Sequence, residues 1–516
     1  MIKQTRVENG LVRGIPAADP RIISYKGIPF AAPPVGELRW RAPQPAKDWD
    51  GVLDCSRFAP ISMQQVPGSQ HNIYEREWNV DPEIPMDEDC LYLNVWTPAK
   101  TAEERLPVFV WYFGGGLQEG NPAEMEFNGE RIARRGVVVV TINYRLNVFG
   151  FLCHPEITAE DPDAPANFGH LDQMAATEWV KRNIANFGGD PENITIGGQS
   201  AGGGSVVTML TTPRTEGLFQ KAVILSGSFY GGYGGAFDSR RRALLKDAEQ
   251  AGVRFFEYLG VGSLAEARAL DAFYLRDKFR EYISGSDSGD LAQRAKVRPM
   301  IGPCIDEKFS WNTGMTSLVH GQRHMVPLLM GNTVDEFPGV PPFGSTEELE
   351  AYAKETFGDE AGKFMELVRG ETWEETKAKA TYSFIELGCR CVLRNSAEQG
   401  APDSYYYQFN PFIPGEDDPG SFHSSDLWFW FESLAACWRP FTGEHYDVAR
   451  QMCNYLANFI KTGNPNGDDV PGRPLPEWKT YGESRAPMFF GRTSEMKDAS
   501  SEPELMKFLE DFYRER

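Results

Sequence analysis

One serine stands in a dense run of glycines, NITIGGQSAGGGSV, at residues 193–206. The stretch Gly198–Gly202 has the pattern G-x-S-x-G, which is typical of a nucleophile elbow: a serine exposed on a sharp turn between a strand and a helix. In a chain with 51 glycines among 516 residues, chance alone supplies roughly 0.3 such matches. The pattern therefore predicts a nucleophile only if its surroundings have the matching structure.

The surroundings of Ser200 predict alternating strands and helices. Segments 170–187 and 201–210 have helical spacing, and they separate apolar, β-branched runs that suit strands covered on both faces. This alternation predicts a mostly parallel α/β sheet with the serine at a strand-to-helix turn. The predicted strands are LPVFVWYF (106–113), VVVVTINYR (137–145), NITIGG (193–198), KAVILSGS (221–228), MVPLLMGNTVDEF (325–337), SYYYQF (404–409) and an edge strand at APMFFG (486–491).

A serine hydroxyl is a weak nucleophile, so it needs a base and an acid that orients the base. Of the seven histidines, His423 and His445 follow both the serine and a strand that could carry the acid. His445 begins a well-patterned helix, where a capping or solvated role is favoured. His423 follows a strand through a loop rich in proline and glycine, as a general base should.

Two candidates remain for the acid, since Asp335 and Glu336 both lie just after the strand VPLLMGN. Adjacent side chains in a loop diverge, so one of them reaches the imidazole, and the residue pattern does not choose between them. The loop Phe113–Leu117, which also follows a strand, suits an oxyanion hole because glycines let backbone amides approach a substrate closely. A phosphate-binding role is disfavoured, because neither G-x-G-x-x-G nor a P-loop lysine follows.

Composition limits the remaining function classes. The formal net charge of -21 argues against nucleic acids and anionic membrane surfaces as partners. No signal-like N-terminus and no apolar run of membrane-spanning length is present, so we expect no membrane anchor. Eight cysteines are too few for a disulfide scaffold, and Cys389 and Cys391 fit two buried thiols better than a metal site. We expect a cytoplasmic protein without cofactor or metal, although a chain from which a signal peptide has been removed would look the same.

No linker divides the chain, so we predict one α/β domain over residues 1–516. Two helical segments, at about 239–290 and about 347–400, interrupt the alternation of strands and helices. We expect both segments to be insertions that form a cap.

The chain resembles the type B carboxylesterase family along nearly its whole length and in order. This family includes bacterial p-nitrobenzyl esterases, cholinesterases and the non-catalytic neuroligins. The resemblance implies an α/β-hydrolase fold and a serine esterase that acts on small-molecule esters. It rests on YKGIPFAAPPVGELRWRAPQP (25–45), EDCLYLNVWTP (88–98), LPVFVWYFGGG (106–116), INYRLNVFGFL (142–152), FGHLDQMAATEWVKRNIANFGGDPENITIGGQSAGG (168–203), GLFQKAVILSGS (217–228), GNTVDEF (331–337) and ANFIKTGNPN (457–466).

The resemblance implies a role for each matching position. Ser200 becomes the nucleophile and His423 the general base, and Glu336, rather than Asp335, becomes the orienting acid. The oxyanion donors implied are the amides of Gly115, Gly116 and Ala201. A structural hydrogen-bonding role is implied for Tyr92, Asn94, Arg145, Asp172 and Gln173.

Departures from the family pattern bear on the substrate and on the redox compartment. The cysteine that usually pairs with Cys90 is Ser62 here, so that disulfide cannot form. Phe113, Leu117 and Gln199 replace residues that are commoner beside the site. Aromatic residues near the catalytic loops favour a pocket for an apolar or aryl group. The expected pocket residues are Leu117, Gln199, Phe229, Phe337 and Phe422.

The bond cleaved stays open among ester, carbamate, amide and lactone, and a binding protein on the same fold is the alternative from another class. The oligomeric state stays open too.

Overall fold

A computed structural model describes residues 1–69, 72–231, 243–285 and 301–514. Its centre is a sheet of eleven strands within these ranges, numbered here in chain order. The strands are β1 (Ile15–Pro16), β2 (Ile23–Pro29), β3 (Tyr92–Thr97), β4 (Leu106–Tyr112), β5 (Val138–Ile142), β6 (Gly189–Gln199), β7 (Lys221–Leu225), β8 (Leu328–Thr333), β9 (Ser404–Phe409), β10 (Met488–Phe490) and β11 (Ser494–Met496).

The strand order is β11-β10-β9-β8-β7-β6-β4-β5-β3-β2-β1. The strands from β10 to β5 in this order pair in parallel, and the pairs at both ends of the sheet are antiparallel. The mostly parallel sheet is therefore as predicted. The predicted strand at 486–491 is confirmed by β10, but its placement at the edge of the sheet is wrong, because β11 pairs antiparallel with the outer side of β10. The short polar sequence of β11 gave no strand signal.

Helices cover both faces of the sheet. The helix Phe168–Asn183 precedes β6, and Ala201–Thr211 follows it, as the spacing predicts. The other α-helices are Ile73–Glu77, Glu130–Ala133, Asn147–Phe151, Pro155–Glu160, Leu245–Leu259, Leu264–Arg268, Ala272–Gly285, Gly314–Val319, Thr346–Phe357, Ala361–Leu367, Trp373–Ala380, Phe384–Glu398, Leu427–Trp430, Gly443–Thr462, Tyr481–Ser484 and Glu504–Arg514.

Both segments predicted to be insertions are mostly helical where the structure describes them, and the described part of the first begins with a short strand at Ala243–Leu244. Segment 347–400 lies within the last four helices before β9. Of segment 239–290, residues 239–242 and 286–290 lie outside the described residues. None of the helices in the described part of the chain is long and apolar enough to cross a membrane.

The alternation of side chains along β4 shows how the sheet divides the core. Val108, Val110 and Tyr112 join one large hydrophobic cluster, and Phe109 and Trp111 join another on the opposite face. All five are at most 1% exposed. Because both faces are buried, the strand is a nearly continuous apolar run, as expected for a parallel sheet between two helical layers.

The parallel strands end at a common edge, where their loops converge. The glycine-rich loop follows β4, Ser200 follows β6, and Glu336 follows β8. In open α/β sheets, ligands bind at the carboxyl ends of the strands. The fold thus brings the residues singled out in the sequence to the edge where chemistry is expected.

Candidate active site

Ser200 occupies a strained turn between β6 and the helix Ala201–Thr211. Its backbone has φ of 54° and ψ of -127°, a region that non-glycine residues rarely adopt. A Cβ on Gly202 would lie 2.1 Å from the carbonyl oxygen of Tyr112, and one on Gly198 would lie 2.4 Å from the Gly202 carbonyl. Glycine at both places therefore lets the helix pack directly against the strands and holds the serine at the tip of the turn.

Three side chains from different loops form a continuous line of hydrogen bonds. The Nε2 atom of His423 lies 2.8 Å from Ser200 Oγ, and its Nδ1 atom lies 2.5 Å from Oε2 of Glu336. The Glu336 side chain is 0% exposed and that of His423 is 5% exposed. Glu336 Oε1 also accepts a hydrogen bond of 3.2 Å from the amide of Thr333. This is the geometry of a nucleophile, a base and an orienting acid.

The neighbouring acid, Asp335, points elsewhere. Its Oδ2 atom accepts a hydrogen bond of 2.7 Å from the amide of Ser421, and a bridge joins it to Phe422. Asp335 therefore ties down the loop that carries His423, whereas Glu336 contacts the imidazole itself. Adjacent side chains diverge, as expected for a loop.

One of the backbone donors expected at the oxyanion hole follows the serine directly, and the loop that carries the other two passes beside the serine at Gly114. Ala201 is the first residue of the helix, so its amide has no partner within that helix. Gly115 and Gly116 both have positive φ, at 96° and 65°. In the described residues, none of these three amides donates a hydrogen bond to a protein acceptor. A Cβ on Gly114 would lie 3.2 Å from that of Ser200, so the loop runs directly beside the nucleophile.

Gln199 connects the elbow to the loop of the histidine. Its amide nitrogen donates a hydrogen bond of 2.7 Å to Ser424 Oγ and lies 3.4 Å from His423 Nε2. Gln199 and Ser424 are both buried, and Ser424 has a φ of 79°. The sequence reasoning did not single out Ser424, although its place directly after His423 was a usable signal.

Aromatic rings surround the histidine. The Phe337 ring lies 4.4 Å from the imidazole, centroid to centroid, and Phe337 is 39% exposed. Phe422 is 9% exposed and packs against Tyr74 at 6.3 Å. Burial, together with the charge of Glu336, raises the pKa of Tyr74. The sequence reasoning missed Tyr74, since no motif marks it.

The two remaining expected pocket residues, Phe229 and Leu117, lie in different places. Phe229 packs on Phe384 at 5.8 Å and lies near Gly204 in the helix after Ser200. Leu117 has a φ of 60° at the end of the glycine-rich loop. Trp428, another aromatic residue close to His423 in the sequence, is fully buried against Trp78 and belongs to the core.

Asp426 is a buried acid close to the candidate triad. Its Oδ2 atom accepts hydrogen bonds from the Tyr407 hydroxyl at 2.7 Å and from the Trp430 indole at 3.2 Å. Burial raises the pKa of Asp426 to about 6, and the charge of Glu336 adds to this effect. The sequence reasoning did not identify it.

A second buried acidic site lies beyond the glycine-rich loop. Glu126 is 0% exposed, and neither of its carboxylate oxygens has a hydrogen-bond partner in the described part of the chain. Its neighbour Glu124 accepts a hydrogen bond from the amide of Asn121 at 3.0 Å. Burial raises the pKa of Glu124 to about 7, and burial and the charge of Glu124 raise that of Glu126 well above its usual range.

Several residues given structural roles make buried contacts away from the triad. Arg145 and Asp172 form a buried ion pair, with Arg145 Nε 2.8 Å from Asp172 Oδ2. His445 caps its own helix by accepting from the amide of Thr442 at 3.0 Å. The remaining contacts are Asn94 to Thr141, Gln173 to Ser205, and an interaction of Tyr92 with Asp89.

The cysteines are free thiols. Cys389 and Cys391 are fully buried, as expected. Cys90 is free and interacts with Ser62, the residue in the position of the usual disulfide partner.

Comparison with known proteins identifies relatives over the whole chain. The sequence model of the carboxylesterase family matches residues 2–365 and 368–508. The para-nitrobenzyl esterase of Bacillus subtilis is 30% identical over 89% of this chain and 89% of its own length. The Fumonisin B1 esterase of Sphingopyxis macrogoltabida is 37% identical over 69% of this chain, a match that spans 60% of that relative.

Solved structures agree with these relatives. A PNB esterase superposes with a TM-score of 0.79 at 27% identity, covering 99% of both chains. A carboxylesterase of Geobacillus stearothermophilus gives a TM-score of 0.72 at 28% identity and covers 99% of this chain. The fold and the relatives define a carboxylic ester hydrolase with the α/β-hydrolase fold that the sequence predicted. The chain belongs to the carboxylesterase family.

Proposed function

We propose that this ester hydrolase cleaves small apolar or aryl esters through Ser200, His423 and Glu336, by way of an acyl-enzyme. The observation that carries this proposal is the unbroken line from Ser200 Oγ through both ring nitrogens of His423 to Glu336 Oε2, with distances of 2.8 and 2.5 Å. The line joins three loops that are far apart in sequence.

The chemistry follows from the atoms in this line. Ser200 Oγ attacks the ester carbonyl while His423 Nε2 takes the hydroxyl proton. The imidazolium formed keeps its Nδ1 proton and donates a hydrogen bond through it to Glu336, whose charge stabilises the imidazolium. Nε2 then returns the proton to the leaving alcohol, and a water activated by the same nitrogen releases the acid from Ser200. These steps require no cofactor or metal.

Backbone amides supply the second part of the mechanism. The amides of Gly115, Gly116 and Ala201 are the donors that we assign to the developing oxyanion. This assignment is supported by the loop of Gly115 and Gly116, which passes beside Ser200 at Gly114, and by the lack of a protein acceptor for the three amides in the described residues. Donors fixed in place before the reaction stabilise the transition state without reorganising.

The substrate class is proposed from the residues around the triad. Phe337 and Phe422 present aromatic surface next to His423, and Phe229 does so near the helix of Ser200. Relatives named para-nitrobenzyl esterase and cocaine esterase support an aryl group in the substrate. We assign Leu117 and Gln199 to the rim of the same pocket.

We propose that segments 239–290 and 347–400 are insertions in a single domain and help to cap the pocket. The contact between Phe229 and Phe384 supports this role for the second segment.

We also propose a cytoplasmic location, which the eight free cysteines support. Fractionation of the host cell with a marker enzyme for each compartment tests the location.

Intact-mass measurement after treatment with a small fluorophosphonate tests the nucleophile. We expect one adduct, which peptide mapping places on Ser200, and none in the variant Ser200→Ala. An adduct elsewhere, or none in folded protein, contradicts the proposal. Turnover is then compared on an ester, a carbamate and an amide that share one aryl group, together with an aryl lactone. We expect the ester to be cleaved fastest.

A further inference from the structure

Two cysteines far apart in sequence meet in a small buried cluster outside the active site. The Sγ atoms of Cys153 and Cys304 are 3.7 Å apart, and the two residues are separated by 151 positions. They are 1% and 0% exposed. The other six cysteines make no hydrogen-bonded thiol–thiol contact in the described part of the chain.

The surroundings of the pair hold Cys304 in place. The side-chain oxygen of Asn167 accepts from the Cys304 amide at 3.1 Å, and its nitrogen donates to the Cys304 carbonyl at 3.0 Å. Cys304 also pairs with Ala243 in a short parallel ladder. Its backbone is therefore fixed from two sides, and only the side chain is left to move.

The two sulfurs lie in a small hydrophobic cluster that includes two alanines and is packed against Leu245. The buried cluster consists of Cys153, Ala166, Ala248 and Cys304. A disulfide requires a sulfur–sulfur distance of about 2.05 Å. Each sulfur must therefore move by less than about 1 Å from its present position, which side-chain rotation supplies.

We propose that Cys153 and Cys304 are an oxidation site at which a small neutral peroxide forms a disulfide. One sulfur attacks a peroxide oxygen of hydrogen peroxide, which gives a sulfenic acid and one water. The sulfur of the second cysteine then attacks that sulfenic sulfur and releases a second water. Two thiols and one hydrogen peroxide thus give one disulfide and two waters.

The bond would fasten two parts of the fold to each other. Cys153 lies between the helices Asn147–Phe151 and Pro155–Glu160, and Cys304 lies at the start of the strand that follows the first insertion. Closing a loop of about 150 residues restricts the unfolded chain strongly, so the oxidised protein should be more stable. A contact with Cys304 and burial hold the pKa of Cys153 well above its usual range, so oxidation should be slow.

Thiol counting on the full chain tests the proposal. Protein reduced and freed of reductant is treated with hydrogen peroxide, denatured, and labelled with a maleimide. We expect eight reactive thiols to fall to six, peptide mapping to join Cys153 to Cys304, and dithiothreitol to restore eight. The unfolding midpoint of the oxidised form should rise by at least about 2 °C, with ester turnover within about twofold, since neither sulfur contacts Ser200, His423 or Glu336.

Matched variants separate this site from general oxidation. Cys304→Ser should give no cross-link, and Cys391→Ala, which removes another buried thiol, should still give one. Should Cys304→Ser fail to fold, Cys153→Ser takes its place, and the cross-link in the unmodified chain is decisive by itself. Eight thiols after peroxide treatment, a bond between other cysteines, or a lowered midpoint would each overturn the proposal.

Discussion

Glu336 and Glu126 are both fully buried acids, yet their surroundings differ in kind. Glu336 accepts from His423 Nδ1 and from the amide of Thr333. Glu126 has no donor at either oxygen in the described part of the chain, and the charges of Glu124 and Glu77 act on it. Burial alone therefore does not describe a carboxyl group, because the partners and charges around it differ. Burial and the charge of Glu124 raise the pKa of Glu126 well above its usual range.

The largest effect on activity is expected at Ser200, in the active site that contains Glu336. Ser200→Ala removes the nucleophile at the end of the line, and turnover of an aryl ester should fall on the order of 10⁶-fold. Steady-state hydrolysis measures the loss, and an unchanged thermal midpoint shows that the fold is intact. A loss of less than tenfold would show that another group carries the reaction.

The next largest effect on activity should come from Glu336, the carboxylate that contacts His423. Glu336→Gln keeps the shape but removes the charge that orients the imidazole, so kcat should fall about 10⁴-fold, as for an orienting acid elsewhere. The matched control is Asp335→Asn, which alters the adjacent acid. Because Asp335 contacts Ser421 and not His423, we expect a loss of less than about tenfold. Equal losses would contradict the separate roles.

The buried site of Glu124 and Glu126 is tested through the free energy of unfolding rather than through activity. Burial raises the pKa of Glu124 to about 7 and that of Glu126 further above its usual range. In the unfolded chain both groups lose their protons near pH 4.5, so the folded form holds extra protons above that pH. Stability from this site is therefore present below about pH 4.5 and is lost as the pH rises toward and beyond 7.

Glu126→Gln should remove much of this loss of stability at high pH. The amide stays neutral at every pH, so no buried charge has to form at this position as the pH rises. At pH 8 we expect the variant to gain about 2 kcal/mol, the order of the cost of a buried unpaired polar group, and at pH 4.5 no gain. Urea unfolding at both pH values measures this. A gain that is equal at both would show that packing, not ionisation, is responsible.

The smallest effect should come from adding a second acid to the active site, beside His423. Gln199→Glu places a carboxylate about where the amide nitrogen now lies, 3.4 Å from His423 Nε2. The added charge favours the imidazolium, so the acid limb of kcat/KM against pH should move about one unit higher. Gln199→Leu, which removes the contact without adding charge, should leave the limb in place. An unmoved limb in Gln199→Glu would mean that the new side chain points away.

The active site that contains Glu336 was more predictable from the sequence than the buried site of Glu124 and Glu126. Ser200, His423 and Glu336 each follow a strand, and a glycine pattern or a position after an apolar run marks them. The choice of Glu336 over Asp335 came from resemblance, because the divergence of two neighbours depends on loop geometry. Glu126 carries no motif, since its burial results from packing by residues distant in sequence.

Contacts across loops were equally hidden. The hydrogen bond between Gln199 and Ser424 joins positions 225 residues apart, and no local pattern encodes such a pairing. The order of β10 and β11 was missed for a similar reason, because a three-residue polar strand is recognised only by its neighbour.

The tight turn at the nucleophile also limits how this enzyme can evolve or be engineered. Gly198 and Gly202 have no space for even a methyl group, so libraries that vary these codons should yield mostly inactive clones. Gly204, two residues later, differs: among the described residues, a Cβ there would meet only the Phe229 ring, at 3.7 Å. New substrate preferences should therefore arise through Gly204 and the aromatic rings beyond it, while the elbow stays invariant.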